Sequence, residues 1–134
     1  MRLFICFLLI LKISVSKTSN IRVTTTIKCA NSTNFDFQLI MWEIDEYPRE
    51  DDQISKASGQ ATGNISVISE GILKNDNFSD QIVHNCTSSG EKICTQVDLG
   101  KVNPVVRDVN FEYDIDLDGN QDVCNDNHRF SSNF

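Results

Sequence analysis

Residues 109–117 read VNFEYDIDL. Successive side chains of an extended strand point to opposite faces, so Val109, Phe111, Tyr113, Ile115 and Leu117 share one side and Asn110, Glu112, Asp114 and Asp116 the other. This alternation is the clearest structural signal in the chain, and it predicts a strand with one buried and one wet face. Working back from it, NIRVTTTIKC (20–29) alternates through Ile21, Val23, Thr25 and Ile27 and reads as a strand, as does FDFQLIMWEIDE (35–46), where QLIMW also admits a core helix. Residues 45–64 are polar, acidic and turn-rich; they predict a long solvent-facing connection, or a helical turn followed by a weak strand. ISVISEG, QIVHNC and KICTQVDL are short strands, and KVNPVVRDV is an extended piece interrupted at Pro104. Several short strands without an amphipathic helix predict a mainly β chain folded as a sandwich.

The opening stretch continues into DGNQD, and Asp114, Asp116, Asp118, Gly119, Asn120 and Asp122 follow the spacing of a calcium loop. The register then fails, because Asn125 stands where the closing glutamate belongs and the preceding residues carry a strand pattern rather than a helix. The acids therefore read as the wet face and end of a strand, with Asp118-Gly119 as a turn. Asp116, Asp118, Asn120 and Asp122 remain as a weaker calcium alternative.

The chain of 134 residues begins with Arg2, an apolar run from Leu3 to Leu11, and the small residues Ser14 and Ser16. This is the order of a secretory signal peptide, expected over 1–16, with a single domain over 17–134 and a secreted, extracellular product. The apolar run is shorter than the roughly 20 residues of a membrane span, so no span is expected. Cys6 leaves with the signal; Cys29, Cys86, Cys94 and Cys124 remain, an even set that predicts two disulfides. Proximity favours Cys86 with Cys94 around TSSGEKI, which leaves Cys29 with Cys124, although three pairings are open. Sequons at Asn31, Asn64, Asn77 and Asn85 predict glycosylation.

A formal charge of −7 disfavours nucleic acid and anionic membranes as partners. His84 and His128 are the histidines, and no zinc, phosphate-loop or hydrolase motif accompanies them. No catalytic residue and no cofactor is therefore expected. Trp42 reads as packing, or with Tyr47 as a recognition surface.

In order and spacing, this chain resembles the secreted transthyretin-like proteins of nematodes. The matching features are the opening strand ending at Cys29, LIMWEID with Asp51 and Asp52 downstream, the TGN turn before Gly71, IVHNC with His84 and Cys86, Cys94 eight residues on, and FEYDIDL. The chain departs from the pattern within TTTIK, where a glycine is expected, and at Ile65, where an aromatic is. The resemblance implies a transthyretin-like (prealbumin-like) β-sandwich of seven or eight strands. It also implies a non-enzymatic extracellular binding or recognition protein. A carrier of a small apolar ligand or lipid, and a calcium-dependent cell-surface adaptor, are the alternatives.

Overall fold

The computed structural model describes residues 18–30, 34–44, 52–74, 77–102, 107–118 and 123–124. Within them run β1 (Ser19–Lys28), β2 (Asn34–Glu43), β3 (Asp52–Thr62), β4 (Asn64–Leu73), β5 (Asn77–His84), β6 (Ile93–Lys101) and β7 (Asp108–Asp116). They form a three-stranded sheet in the order β4-β1-β7 and a four-stranded sheet in the order β3-β2-β5-β6. All pairings are antiparallel except β1 with β7, which run parallel with Thr25 beside Tyr113. The mainly β expectation holds, and residues 1–16, expected as a signal peptide, lie outside the described residues.

The period of two does what it predicts in β1 and β7. Ile21, Val23, Thr25 and Ile27 are buried, as are Ile115 and Leu117, while the residues between the β7 core positions are exposed. The helix alternative for 35–46 is not adopted: Asn34–Glu43 is strand, pairing with β3 on one side and β5 on the other. QLIMW lacks alternation because both faces of this central strand are buried, Gln38 and Ile40 as fully as Leu39 and Met41.

The stretch expected as a polar connection, or as a helical turn followed by a weak strand, holds the eleven-residue strand β3 over Asp52–Thr62. Its sequence hides it because it is an edge strand with small residues facing inward. Ala57, Gly59 and Ala61 stand opposite Leu39, Phe37 and Phe35, and an added Cβ at Gly59 would already touch the Phe37 ring at 3.6 Å. Large partners leave room only for small ones, and the apolar signal vanishes. Gly63, at φ 74°, turns the chain from β3 into β4 and so from one sheet to the other.

Two apolar clusters fill the space between the sheets. One gathers Ile27, Phe35, Phe37, Leu39, Ile82 and Ile115 around the Cys29–Cys86 disulfide. The other holds Ile21, Val23, Met41, Leu73, Phe78 and Val102. Tyr113 packs against both and marks the layer where they meet.

Candidate functional site

The groups with perturbed proton affinity lie inside the sandwich. Asp80 on β5 is fully buried, and Tyr113 Oη donates a 2.5 Å hydrogen bond to its Oδ2 from the opposite sheet. Burial pushes the Asp80 carboxyl up to about 6, against the lowering effect of the Tyr113 and Thr25 hydroxyls. Burial, then the Asp80 charge, drives the Tyr113 hydroxyl far upward, so it stays protonated and donates. The Thr25 hydroxyl sits beside this pair without a well-aligned partner of its own, and Asp80 Oδ1 also lacks one. This is a polar layer between two apolar halves.

A second constellation lies at the end of the sandwich. His84 is fully buried; its Nδ1 accepts the Cys86 N–H at 3.1 Å and its Nε2 stands 3.4 Å from Thr95 Oγ1. Desolvation lowers its pKa to about 4, with Asp118 pulling the other way, so the ring is neutral. Cys29, Cys86 and Asp118 place two sulfurs and a carboxylate close together. Both sulfurs are already spent on each other in the disulfide, which leaves no thiolate to ligate a metal.

The disulfides are Cys29–Cys86 and Cys94–Cys124, which overturns the pairing that proximity favours. The reason is side-chain direction. Cys86 has the parity of His84 and Ile82, which point between the sheets, whereas Cys94 stands beside Val83 on the outer side of the same sheet. Eight residues separate them in sequence, but a sheet lies between their side chains. Cys29, ending β1, faces Cys86 from the opposite sheet, so this bridge staples the two layers. Cys94–Cys124 fastens residues 123–124 to the edge of β6, where Val123 bridges Thr95.

Asp116 and Asp118 of the calcium alternative make local hydrogen bonds, and Asp114, which precedes that set, makes an ion pair. Asp114 turns to Lys28 Nζ at 3.2 Å, Asp116 Oδ1 accepts the Asp118 N–H at 3.1 Å, and Asp118 Oδ2 accepts the Ala30 N–H. Asn120 and Asp122 lie outside the described residues. Among the sequon residues, Asn64 is exposed just after the Gly63 corner, and Asn77 is half-buried. Asn85 is also half-buried, its Oδ1 accepting the Asp36 N–H at 2.7 Å, while Asn31 lies outside. Trp42 is half-buried on the outer side of the four-stranded sheet, and its Nε1 donates to Gln81 Oε1 at 3.1 Å; Tyr47 lies outside the described residues.

On the outside, the three-stranded sheet carries the Arg22–Glu70 and Lys28–Asp114 ion pairs. It also bears an open depression of about 650 Å³ around Asn20, Arg22, Ile72, Asp108 and Asn110. Sequence reasoning missed Asp80, although the signal was present: in NFSDQIVH it shares the inward parity of Phe78 and Ile82. No family model matches the chain, and no curated protein or solved structure does either.

Proposed function

We propose that the protein is a secreted, disulfide-stabilised domain that binds or recognises an extracellular protein or cell-surface ligand, without catalytic turnover. The observation that carries this reading is the pair of disulfides, since such bonds persist in oxidising compartments. The sequence pattern of a signal peptide over 1–16 and the sequons point the same way. Among the described residues, no helix is long and apolar enough to cross a membrane.

Perturbed proton affinities mark an active site where a substrate can reach them. Here Asp80, His84 and Tyr113 are engaged with neighbours in the interior, which favours a structural role for each. A carrier would need open space between the sheets, and Phe35, Phe37, Leu39, Phe78 and Ile82 occupy it. The transthyretin-like affiliation is part of the same proposal. It is supported by seven strands in two facing sheets and by the placement of His84 and Cys86 at the end of β5.

The test is to display the mature chain, expressed through a secretory pathway, to extracellular proteins and intact cells. Saturable binding that depends on intact disulfides is expected. Absence of any saturable binding overturns the reading, as does hydrolase turnover that disappears in His84→Gln.

A further inference from the structure

Among the described residues, one edge of the sandwich has no neighbouring strand. Asn20 N–H donates to the Arg107 carbonyl at 2.6 Å and Leu117 N–H donates to the Lys28 carbonyl at 2.9 Å. In a parallel ladder this means that the odd-numbered residues of the stretch turn both main-chain groups toward β1. The N–H and C=O groups of Asp108, Asn110, Glu112 and Asp114 therefore point the other way, and among the described residues no strand lies there. The remaining edges differ. β3 and β4 meet each other along one side of the sandwich, and the β6 edge carries the Val123 bridge under the Cys94–Cys124 disulfide. Unpaired strand edges are templates for another strand, and proline, lysine or a bulge is the usual guard. β7 has no proline, lysine or bulge, and the charges it carries are acidic, which repels an acidic strand and not a basic one.

The chemistry of this edge is two-sided. Asp108, Glu112 and Asp114 project from its exposed face; Lys28 offsets Asp114, while Glu112 stands opposite uncharged Thr24. On the inner side Val109, Phe111 and Tyr113 are half-buried, as are Val97 and Leu99 of β6, along the side where β6 and β7 do not close on each other. We propose that the β7 edge binds an extended segment of a partner protein as an added strand, one in which basic side chains alternate with apolar ones. The basic side chains take cross-strand positions beside Asp108, Glu112 and Asp114, and the apolar ones face Phe111, Val97 and Leu99. A second copy of this chain does not meet the requirement, because two β7 edges would set their acidic rows against each other. The inference rests on the binding-domain reading and supplies the chemistry of its partner.

The test uses the full mature chain with two labelled ten-residue peptides, one alternating lysine with valine and one alternating glutamate with valine. The lysine peptide is expected to bind and the glutamate peptide not. Glu112→Pro removes an edge donor and a carboxylate without touching the β1 ladder, and it should weaken binding by about ten-fold, the loss of one main-chain hydrogen bond and one cross-strand charge pair. Glu112→Lys should weaken it at least as much. With peptide bound, amide exchange should slow at Asp108, Asn110, Glu112 and Asp114 and not at the residues between them. Equal binding of the two peptides, binding undiminished in a folded Glu112→Pro chain, or protection confined to other strands each overturns the proposal. A natural partner held unchanged by Glu112→Pro removes the edge and leaves the binding-domain reading standing. Peptide binding with no natural partner found does the reverse.

Discussion

Tyr113 Oη on β7 reaches across the sandwich to donate to Asp80 Oδ2 on β5. The bond joins the two sheets through a buried carboxylate, and the raised pKa of that group makes stability depend on pH. Asp80 has a folded pKa of about 6 against an ordinary 3.8. A raised folded pKa means stability fully present below about 3.8 and lost as pH rises through 6. The loss comes to roughly 3 kcal/mol at 1.4 kcal/mol per unit. Asp80→Asn keeps an acceptor for Tyr113 but does not ionise. Urea melts should show this variant gaining about 3 kcal/mol relative to the parent between pH 3 and pH 7.5. A constant difference would mean that the carboxyl is not raised.

His84 acts with the opposite sign. Its folded pKa is lowered from 6.5 to about 4, so its contribution is present above 6.5 and lost as pH falls through 4. Between those values the two groups largely cancel, and the parent should show a flatter stability profile than either variant alone. His84→Gln should lose the acid-side fall and become more stable, relative to the parent, toward pH 4. The ring proton signal of His84 in NMR should titrate near pH 4, and a midpoint near 6.5 would contradict its burial.

Peptide mapping without reduction should recover Cys29 with Cys86 and Cys94 with Cys124. The bridges close sequence separations of 57 and 30 residues, so chain entropy assigns each about 4 kcal/mol. Replacing Cys29 and Cys86 together by alanine should cost more than replacing Cys94 and Cys124, because the former pair also lies within the apolar core. Thermal melts of the two double variants make that comparison.

Gly71 of β4 lies where β3 crosses closely. An added Cβ would stand 2.0 Å from Ile54 Cγ2, a methyl on a stiff β-branched side chain. Gly71→Ala should therefore destabilise by about 1–3 kcal/mol. Ile54→Val keeps that methyl and should give no relief, whereas Ile54→Ala should recover part of the loss in the double variant, a coupling read by a double-mutant cycle.

How much of this was legible follows from where each strand sits. β1 and β7 have one wet face, so period two announced them, and Ile115 and Leu117 are core as their spacing implied. β3 registered only as a weak strand alternative because Ala57, Gly59 and Ala61 carry little apolar signal, and their smallness makes sense only once Phe35 and Phe37 are seen opposite. The cysteines misled because distance along the chain says nothing of side-chain direction, which depends on the register of Val83 with Cys94. Asp80 was readable as an inward position, but its donor comes from Tyr113, distant in sequence and in the other sheet.

The polar layer also governs how the two sheets can lie over one another. Sliding β5 by two residues along the facing sheet would keep every apolar side chain inside. It would also move Asp80 away from Thr25 and Tyr113 to face Val23 and Phe111, or Ile27 and Ile115, none of which offers a side-chain donor. An interior of hydrocarbon alone would tolerate several such alignments. With one carboxylate answered by one phenol, a single alignment is distinguished from its near neighbours.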